Sequence, residues 1–375
     1  MNWNVCARPA AVPAAAAPYT RRLSIVPSRR SHRTRCARDG RAPVHGKMLC
    51  LGLGLRHAGN RVEPHAMTRQ FAAFGALLAI ALCGTDCSTV SPDMNREFHN
   101  YTLNYDTPVT PALQGELERI DGTLRARHGM TKEQTAVGVL DLKTLRLAMI
   151  HPDRGEYAAS VPKIGILLAW FQLHPQAATN LDAQTRHELG LMVKASDNEM
   201  AAKFSQEMGL KQIQPVLNSY RFYDEDRGGG IWIGKHYGKG SERIGDPVSN
   251  HSHAATVRQL LRYFLLLEQR KLISVEASRT MREIFESPDI PHDRIKFVEA
   301  LSDRNVRIIR KWGSWEDWRH DAAIISGPRR NYILVALTHH PKGDEYLVDL
   351  AGSVDDLMAD AVAKEKDTEI DREIR

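Results

Sequence analysis

Apolar residues recur with two different periods between residues 108 and 364, and these periods predict the secondary structure of that region. Pro111 opens a stretch with apolar residues at every third or fourth position, which predicts a helix over 113–127. Short apolar runs bounded by turn residues predict strands instead. Five such strands are predicted, at 135–142, 145–150, 306–309, 322–326 and 332–338.

Helical spacing occupies most of the chain between the early and late strands. Glycines scattered through 221–253 predict a long surface loop there, and 365–375 is a charged tail. Because strands lie at both ends, the economical fold is a mixed α/β (α+β) domain over 108–364. Strands from the N-terminal and C-terminal parts of the domain together form its five-stranded antiparallel sheet. Helices flank this sheet, and an all-α lobe is joined to it. The remaining helices are predicted from Ser160 onward, near 183–195 and 199–209, and at 256–269, 275–285 and 346–363.

Charge divides the chain near residue 66. Residues 1–66 hold twelve Lys and Arg against Asp39 and Glu63, a net charge of +10, whereas 67–375 carries −4. The basic pI of about 9.0 therefore belongs to the leader, and we expect no nucleic-acid partner for the folded domain. The Ala-, Pro- and Arg-rich composition predicts a disordered leader, which we interpret as lying outside the mature protein.

A secretory signal is predicted directly after this leader. Met67 begins a segment with one positive charge followed by an apolar run at 71–82, too short for a membrane-spanning helix. Cys83 then follows Ile-Ala-Leu, which resembles a bacterial lipoprotein site except that Leu82 is not small. We therefore expect residues 67–87 to direct export to the periplasm or outer envelope, with a lipid anchor as the only membrane contact. All five cysteines lie at or before Cys87, so the domain has no disulfide framework, cysteine nucleophile or Cys-ligated zinc.

The first stretch with chemistry surrounds Ser160. Ser160 and Lys163 are three residues apart at a predicted helix start, with Pro162 in the first turn. A hydroxyl becomes a strong nucleophile when a nearby base takes its proton, and a desolvated lysine is such a base. The alternative is an ordinary helix cap followed by a solvated charge.

Two further stretches carry candidate site residues. Ser196-Asp197-Asn198 places a hydroxyl and an amide between two predicted helices, although Ser196 and Glu199 also fit a capping box. Lys311-Trp312-Gly313-Ser314 lies along a late strand, where lysine would supply positive charge and glycine would allow close approach. The alternative is an edge strand protected from aggregation.

Taken together, S-x-x-K, S-D-N and K-x-G in this order form the three signatures of serine β-lactamases and penicillin-binding proteins. The chain resembles the class A β-lactamases over roughly 110–364. The resemblance implies a β-lactamase-like fold and a serine hydrolase that needs no cofactor or metal. We expect it to hydrolyse the β-lactam amide as a monomer, and so to confer resistance to such antibiotics.

The resemblance also implies a role for each motif residue. Ser160 would be the acylated nucleophile, Lys163 its proton acceptor and Ser196 the proton relay to the leaving nitrogen. Asn198 and Lys311 would bind the amide and carboxylate of the substrate. The backbone N–H groups of Ser160 and Ser314, beside Gly313, would form the oxyanion hole.

Two departures from the family pattern bear on the reaction. Trp312 stands where the family has Thr or Ser, so carboxylate recognition is expected to differ. The loop 221–253 lacks the family's Glu that activates the deacylating water; Glu242 and Glu225 are the nearest candidates by position. These departures keep two alternatives open: a D-alanyl-D-alanine peptidase acting on peptidoglycan stem peptides, and an envelope binding or sensor module without turnover.

Histidine pairs do not change this interpretation. His251 and His253, like His339 and His340, lack the spacing of known zinc motifs, and no phosphate or dinucleotide loop occurs. No G-x-S-x-G surrounds Ser160, so an α/β-hydrolase triad is not supported.

Overall fold

The computed structural model describes residues 92–373 except Lys239 and Ser241, so the predicted leader and signal segment lie outside the described residues. None of the helices described is long and apolar enough to cross a membrane. The helices are α1 (Pro92–Asn100), α2 (Pro111–His128), α3 (Lys163–Leu173), α4 (Ala183–Val193), α5 (Asn198–Met208), α6 (Leu210–Ser219), α7 (Val257–Glu268), α8 (Val275–Phe285), α9 (Lys296–Leu301) and α10 (Gly343–Glu373). The strands are β1 (Thr135–Asp141), β2 (Leu147–Ile150), β3 (Glu156–Tyr157), β4 (Tyr223–Asp224), β5 (Gly229–Gly230), β6 (Trp232–Ile233), β7 (His253–Ala255), β8 (Arg307–Trp315), β9 (Trp318–Gly327) and β10 (Arg330–His339).

One antiparallel sheet joins the early and late strands, in the order β2–β1–β10–β9–β8. Thr135 of β1 pairs with Thr338 of β10, so the predicted completion from both termini is confirmed. The late strands are longer than predicted, because buried polar residues such as Arg310, His320 and Asp321 continue them beyond their apolar runs. Strand β8, which carries the Lys311 motif, forms one edge of the sheet.

Both faces of the sheet are buried, each in its own apolar core. Alternate residues of β1 point to opposite sides, so Val137 packs with helices α2 and α10 while Ala136 and Leu140 pack with the helical lobe. Every residue of β1 is buried, which explains why the sequence shows a continuous apolar run there rather than an alternating one. Helix α10 continues to Glu373, beyond its predicted end.

Helix α3 differs from its prediction in two respects. It begins at Lys163, with Pro162 at the cap position, so Ser160 lies in the preceding turn and does not cap the helix. Its residues from Lys163 to Phe171 are all buried, whereas the helical spacing of Ile164, Leu167, Leu168 and Phe171 predicts burial of one face only. An apolar circumference of this kind is typical of a helix at the centre of a lobe, and α3 contacts α4, α5, α6 and α8. Helices α1, α6 and α9 were not predicted.

The region 221–253 is not the surface loop that its glycines predicted. It contains two short strand pairs, and β7 joins β3 and β6 in a separate three-stranded sheet. Phe222, Ile231, Ile233 and Tyr237 are buried within the core of the lobe or at its edge. Several of the glycines serve close backbone approach: a Cβ on Gly234 would lie 1.6 Å from the Ile244 carbonyl oxygen.

A single buried carboxylate, that of Asp246, organises the last part of this region. Its oxygens accept hydrogen bonds from the Tyr223 hydroxyl at 2.9 Å, the Ser249 hydroxyl at 2.7 Å and the His251 N–H at 2.6 Å. Burial alone would raise the pKa of Asp246, but these hydrogen bonds lower it below its ordinary value. The carboxylate is thus held in its charged form as the centre of the loop.

We predict that Asp246→Asn lowers the free energy of unfolding by about 1–3 kcal/mol at neutral pH, because an amide nitrogen cannot accept these hydrogen bonds. Since the folded pKa is lowered, the contribution is present above the ordinary carboxyl pKa and is lost as the pH falls. The melting temperatures of wild type and variant should therefore converge at acidic pH. Asp226→Asn, at an exposed position, is the matched control; equal melting of all three proteins at neutral pH would contradict the prediction.

Candidate active site

Ser160 lies in the tight turn between β3 and α3. Ala159 before it has a left-handed φ of +48°, and the turn is closed by a bond from the Val161 N–H to the Ala158 carbonyl. The carbonyl of Tyr157 contacts the ring Nε2 of His320 at 2.8 Å, which ties the start of the turn to β9. Ser160 itself is half-buried, and its hydroxyl makes no hydrogen bond to the residues that the structure describes. The hydroxyl is therefore available to a substrate.

Lys163 is fully buried at the first position of α3. Its Nζ donates to the Ser196 carbonyl at 2.5 Å, the Asp197 carbonyl at 3.1 Å and Asn198 Oδ1 at 2.7 Å. Burial lowers the pKa of Lys163 to about 7, although the carboxylate of Asp197 acts in the opposite direction. A substantial fraction of this amine is consequently neutral at physiological pH, as a general base requires.

Ser196 lies between α4 and α5 with a left-handed φ of +60°. The predicted capping box is wrong, because Asp197 is the cap of α5 and accepts from the Met200 N–H at 2.8 Å. Ser196 faces strand β8, where its hydroxyl accepts a hydrogen bond of 2.7 Å from Lys311. Its carbonyl binds Lys163, so this residue connects the two lysines.

Lys311 reaches Ser196 from the edge strand β8. Its side chain is fully buried, and Nζ also donates to the Trp312 carbonyl at 2.7 Å. Burial lowers the pKa of Lys311 well below its ordinary value, and the charges of Lys163 and Arg310 add to this. The guanidinium of Arg310 is itself neutralised by Asp321 at 2.8 Å, in an ion pair without solvent exposure.

Gly313 brings β8 against the nucleophile turn. A Cβ at this position would lie 2.8 Å from the Ala158 carbonyl oxygen and 2.9 Å from the Ser160 backbone nitrogen, so any side chain would displace the turn. Ser314, the next residue on this edge strand, is exposed. The backbone of β8 and the N–H of Ser160 are therefore neighbours, as an oxyanion hole requires.

Lys296 is a candidate residue that sequence reasoning missed. Lys296, at the start of α9, is buried, and its Nζ donates to the Ser314 hydroxyl at 2.6 Å and to the Gly313 carbonyl at 3.3 Å. Trp312 lies between two cations, with its ring centroid 4.7 Å from Lys296 Nζ and 5.1 Å from Lys311 Nζ. No sequence motif marks Lys296; its short helix has no recognisable signature.

The two candidate deacylating carboxylates are both exposed. Glu242 interacts electrostatically with His236, and Glu225 lies in a short 3₁₀ turn after β4. Neither is a hydrogen-bond partner of Lys163, whose three acceptors within the described part of the chain are two carbonyls and an amide. The structure thus brings the three motifs together without placing a carboxylate on the amine.

The histidines near the site are packed among aromatic rings. His253 lies between Tyr237 and Tyr157, and burial lowers its pKa to about 4, so it is neutral. His339 stacks on Trp318 at 3.9 Å. Among the described residues, no group of three His, Cys, Asp or Glu side chains is arranged to hold a metal ion.

The chain is similar to known β-lactamases in sequence over part of its length and in structure. The model of the β-lactamase enzyme family matches residues 180–362, which include Ser196, Asn198 and Lys311. The β-lactamase from Sphaerobacter thermophilus DSM 20745 is similar in structure, with a TM-score of 0.52 and 14% identity over 64% of this chain and 95% of that chain. The class A β-lactamase from Mycobacterium abscessus is similar with a TM-score of 0.53 and 14% identity, over 64% of this chain and 97% of that chain. PBP-A is similar with a TM-score of 0.50 and 15% identity, over 70% of this chain and 100% of that chain. Comparison with curated proteins gave no match.

These likenesses extend over almost the whole length of each solved structure, and they establish the fold. The five-stranded antiparallel sheet and the helical lobe were both predicted from the chain itself. Together with the family match over residues 180–362, the comparisons bear out the resemblance that the three ordered motifs indicated: the chain has the fold of the class A β-lactamases, and that part of it matches the β-lactamase enzyme family.

Proposed function

We propose that the protein is an exported serine hydrolase that acts on β-lactams through an acyl-enzyme on Ser160. The observation that carries the proposal is that Ser196 is hydrogen-bonded to both Lys163 and Lys311. Gly313 packs the strand that carries Lys311 against the turn that carries Ser160. Export to the periplasm or outer envelope is supported by the secretory pattern at 67–82.

The proposed acylation uses the neutral form of Lys163. Its amine accepts the proton of the Ser160 hydroxyl while the oxygen bonds to the lactam carbonyl carbon. The resulting oxyanion is stabilised by the backbone N–H groups of Ser160 and Ser314. The Ser196 hydroxyl then gives its proton to the leaving nitrogen as the amide bond breaks, and the proton on Lys163 replaces it. The product is an ester on Ser160 and a free amine.

Recognition of the substrate is proposed to depend on positive charge. Lys311 and Lys296 approach the cleft from two elements, and Lys296 holds the Ser314 hydroxyl. This hydroxyl offers a replacement for the one that Trp312 removes from the third motif. A carboxylate beside these groups would gain charge-assisted hydrogen bonds, while Asn198 orients the amide side chain.

We predict that incubation with a penicillin adds the mass of the intact antibiotic to the protein, and that Ser160→Ala abolishes the addition. The reason is that the Ser160 hydroxyl makes no hydrogen bond within the described part of the chain and lies three residues before the buried amine of Lys163. Intact-mass spectrometry measures the adduct, with Ser353→Ala in α10 as a matched control that should still label. Absence of an adduct with several penicillins, cephalosporins and carbapenems would contradict the proposal.

We predict that the acylation rate rises with pH through about 7 and levels off above it, because Lys163 acts only after losing its proton. Lys163→Arg keeps the charge but cannot act as a base, so acylation should fall by about 10³-fold or more. Stopped-flow labelling measures the rate, and the melting temperature reports folding. Lys211→Arg, at an exposed site in α6, should match wild type; near wild-type acylation by folded Lys163→Arg would reject the mechanism.

The second candidate function is a D-alanyl-D-alanine peptidase of the cell wall. It is favoured by the arrangement around Lys163, where no carboxylate is bonded to the amine among the described residues. Without a water-activating base, a β-lactam would form a long-lived ester rather than a hydrolysed product.

A chromogenic cephalosporin distinguishes these functions. Continued colour development at many equivalents per protein supports a β-lactamase, and a burst of about one equivalent supports a peptidase. Release of D-alanine from an acyl-D-Ala-D-Ala peptide is the complementary measurement. If wild type neither labels nor turns over but Trp312→Thr does, a binding module that lost turnover is the better description.

A further inference from the structure

Tyr237, between β6 and β7, is a buried residue that the proposed chemistry does not use. The centroid of its ring lies 4.6 Å from Lys163 Nζ. Its hydroxyl donates a 3.1 Å hydrogen bond to the Ala159 carbonyl, and His253 packs on the ring with centroids 4.3 Å apart. The side chain therefore contacts both the base and the turn that carries the nucleophile.

The ring packs against the amine from a different part of the chain than the hydrogen-bond acceptors do. The acceptors of Lys163 come from Ser196, Asp197 and Asn198, at the start of α5. An aromatic face attracts an ammonium but cannot hydrate it as water does. With the ring in place, the amine stays desolvated and its neutral form remains accessible.

The hydroxyl acts on the backbone of the nucleophile. Ala159 and Ser160 share one peptide unit, and in a planar trans peptide the C=O and N–H point in opposite directions. Holding the Ala159 oxygen therefore also directs the Ser160 N–H, which is the proposed oxyanion donor. The constraint matters because the left-handed φ of +48° at Ala159 is unfavourable for a residue with a Cβ.

We propose that Tyr237 is a positioning residue with two separable actions: its ring excludes water from Lys163, and its hydroxyl orients the Ser160 N–H. The second action rests on the proposed acyl-transfer function, whereas the first concerns the amine alone.

The other charged or titratable groups around Lys163 are Asp197, Lys311 and His253. Asp197 favours the ammonium form, while His253 is kept neutral by burial and Lys311 has its own lowered pKa. The experiment must therefore observe Lys163 by itself. Its ¹³Cε resonance in lysine-labelled protein can be titrated by NMR and assigned by its loss in Lys163→Arg.

The two actions predict different results for two variants. Tyr237→Ala opens the amine to water, so the pKa of Lys163 should rise above about 7. The pH at which acylation reaches half of its maximal rate should rise with it. Tyr237→Phe keeps the ring, so that pKa should be unchanged while the maximal acylation rate falls about two- to tenfold. An unchanged pKa in Tyr237→Ala overturns the ring's action, and wild-type acylation by Tyr237→Phe overturns the hydroxyl's.

Melting curves identify a variant that does not fold. If Tyr237→Ala is unfolded, Tyr237→Gln replaces it, because its amide oxygen would accept from the ammonium and also predicts a raised pKa. Failure of the proposed function gives a different result: wild type then forms no adduct with penicillin, yet the pKa of Lys163 still responds to Tyr237→Ala.

Discussion

The amine of Lys163 is buried and still has three hydrogen-bond acceptors, and several elements of the helical lobe meet around it. Helix α3 is buried on all sides, so its single charged residue cannot reach solvent. The acceptors come from the start of α5, where two backbone carbonyls and the Asn198 amide converge on it. The left-handed conformation of Ser196 is part of this arrangement, since it turns the carbonyl toward one lysine and the hydroxyl toward another.

Basic side chains are concentrated on the side of the site that the five-stranded sheet forms. Lys311, Lys296 and Arg310 are all buried, but only Arg310 has a fully buried ionic partner, Asp321. Lys296 contacts Asp344 at 3.5 Å, and that carboxylate is about half exposed. Buried cations without close counterions are costly, and an anionic ligand relieves that cost. Lys311 and Lys296 thus have weaker ionic pairing than Arg310 within the described residues.

The fold was largely predictable because its elements carry their own signals. The apolar runs of β1 and β10 and the spacing in α2 and α7 reflect burial, which sequence patterns report directly. The extent of β8 and β9 was underestimated, since Arg310 and Asp321 are polar residues in buried strand positions. Their pairing is a tertiary fact that no local pattern contains.

The site was predictable only as far as its motifs reach. Seven residues of three motifs could be named because their order is distinctive, and the alternative that Ser160 and Ser196 cap helices is wrong, since other residues occupy both caps. Lys296 and Tyr237 belong to segments without a motif and reach the site through the folding of distant parts of the chain. The glycines of 221–253 suggested exposure, although close backbone packing is the reason for Gly228, Gly230 and Gly234.

The position of β10 at the centre of the sheet has a consequence for folding. This strand is the last in the sequence, and it pairs on one side with β1, roughly 200 residues earlier in the chain. Closing so long a loop costs entropy before any contact compensates for it, and such non-local pairing slows folding. A chain still emerging from the ribosome lacks the strand that joins the two halves of the sheet. The domain therefore acquires its central layer only after β10 has been synthesised.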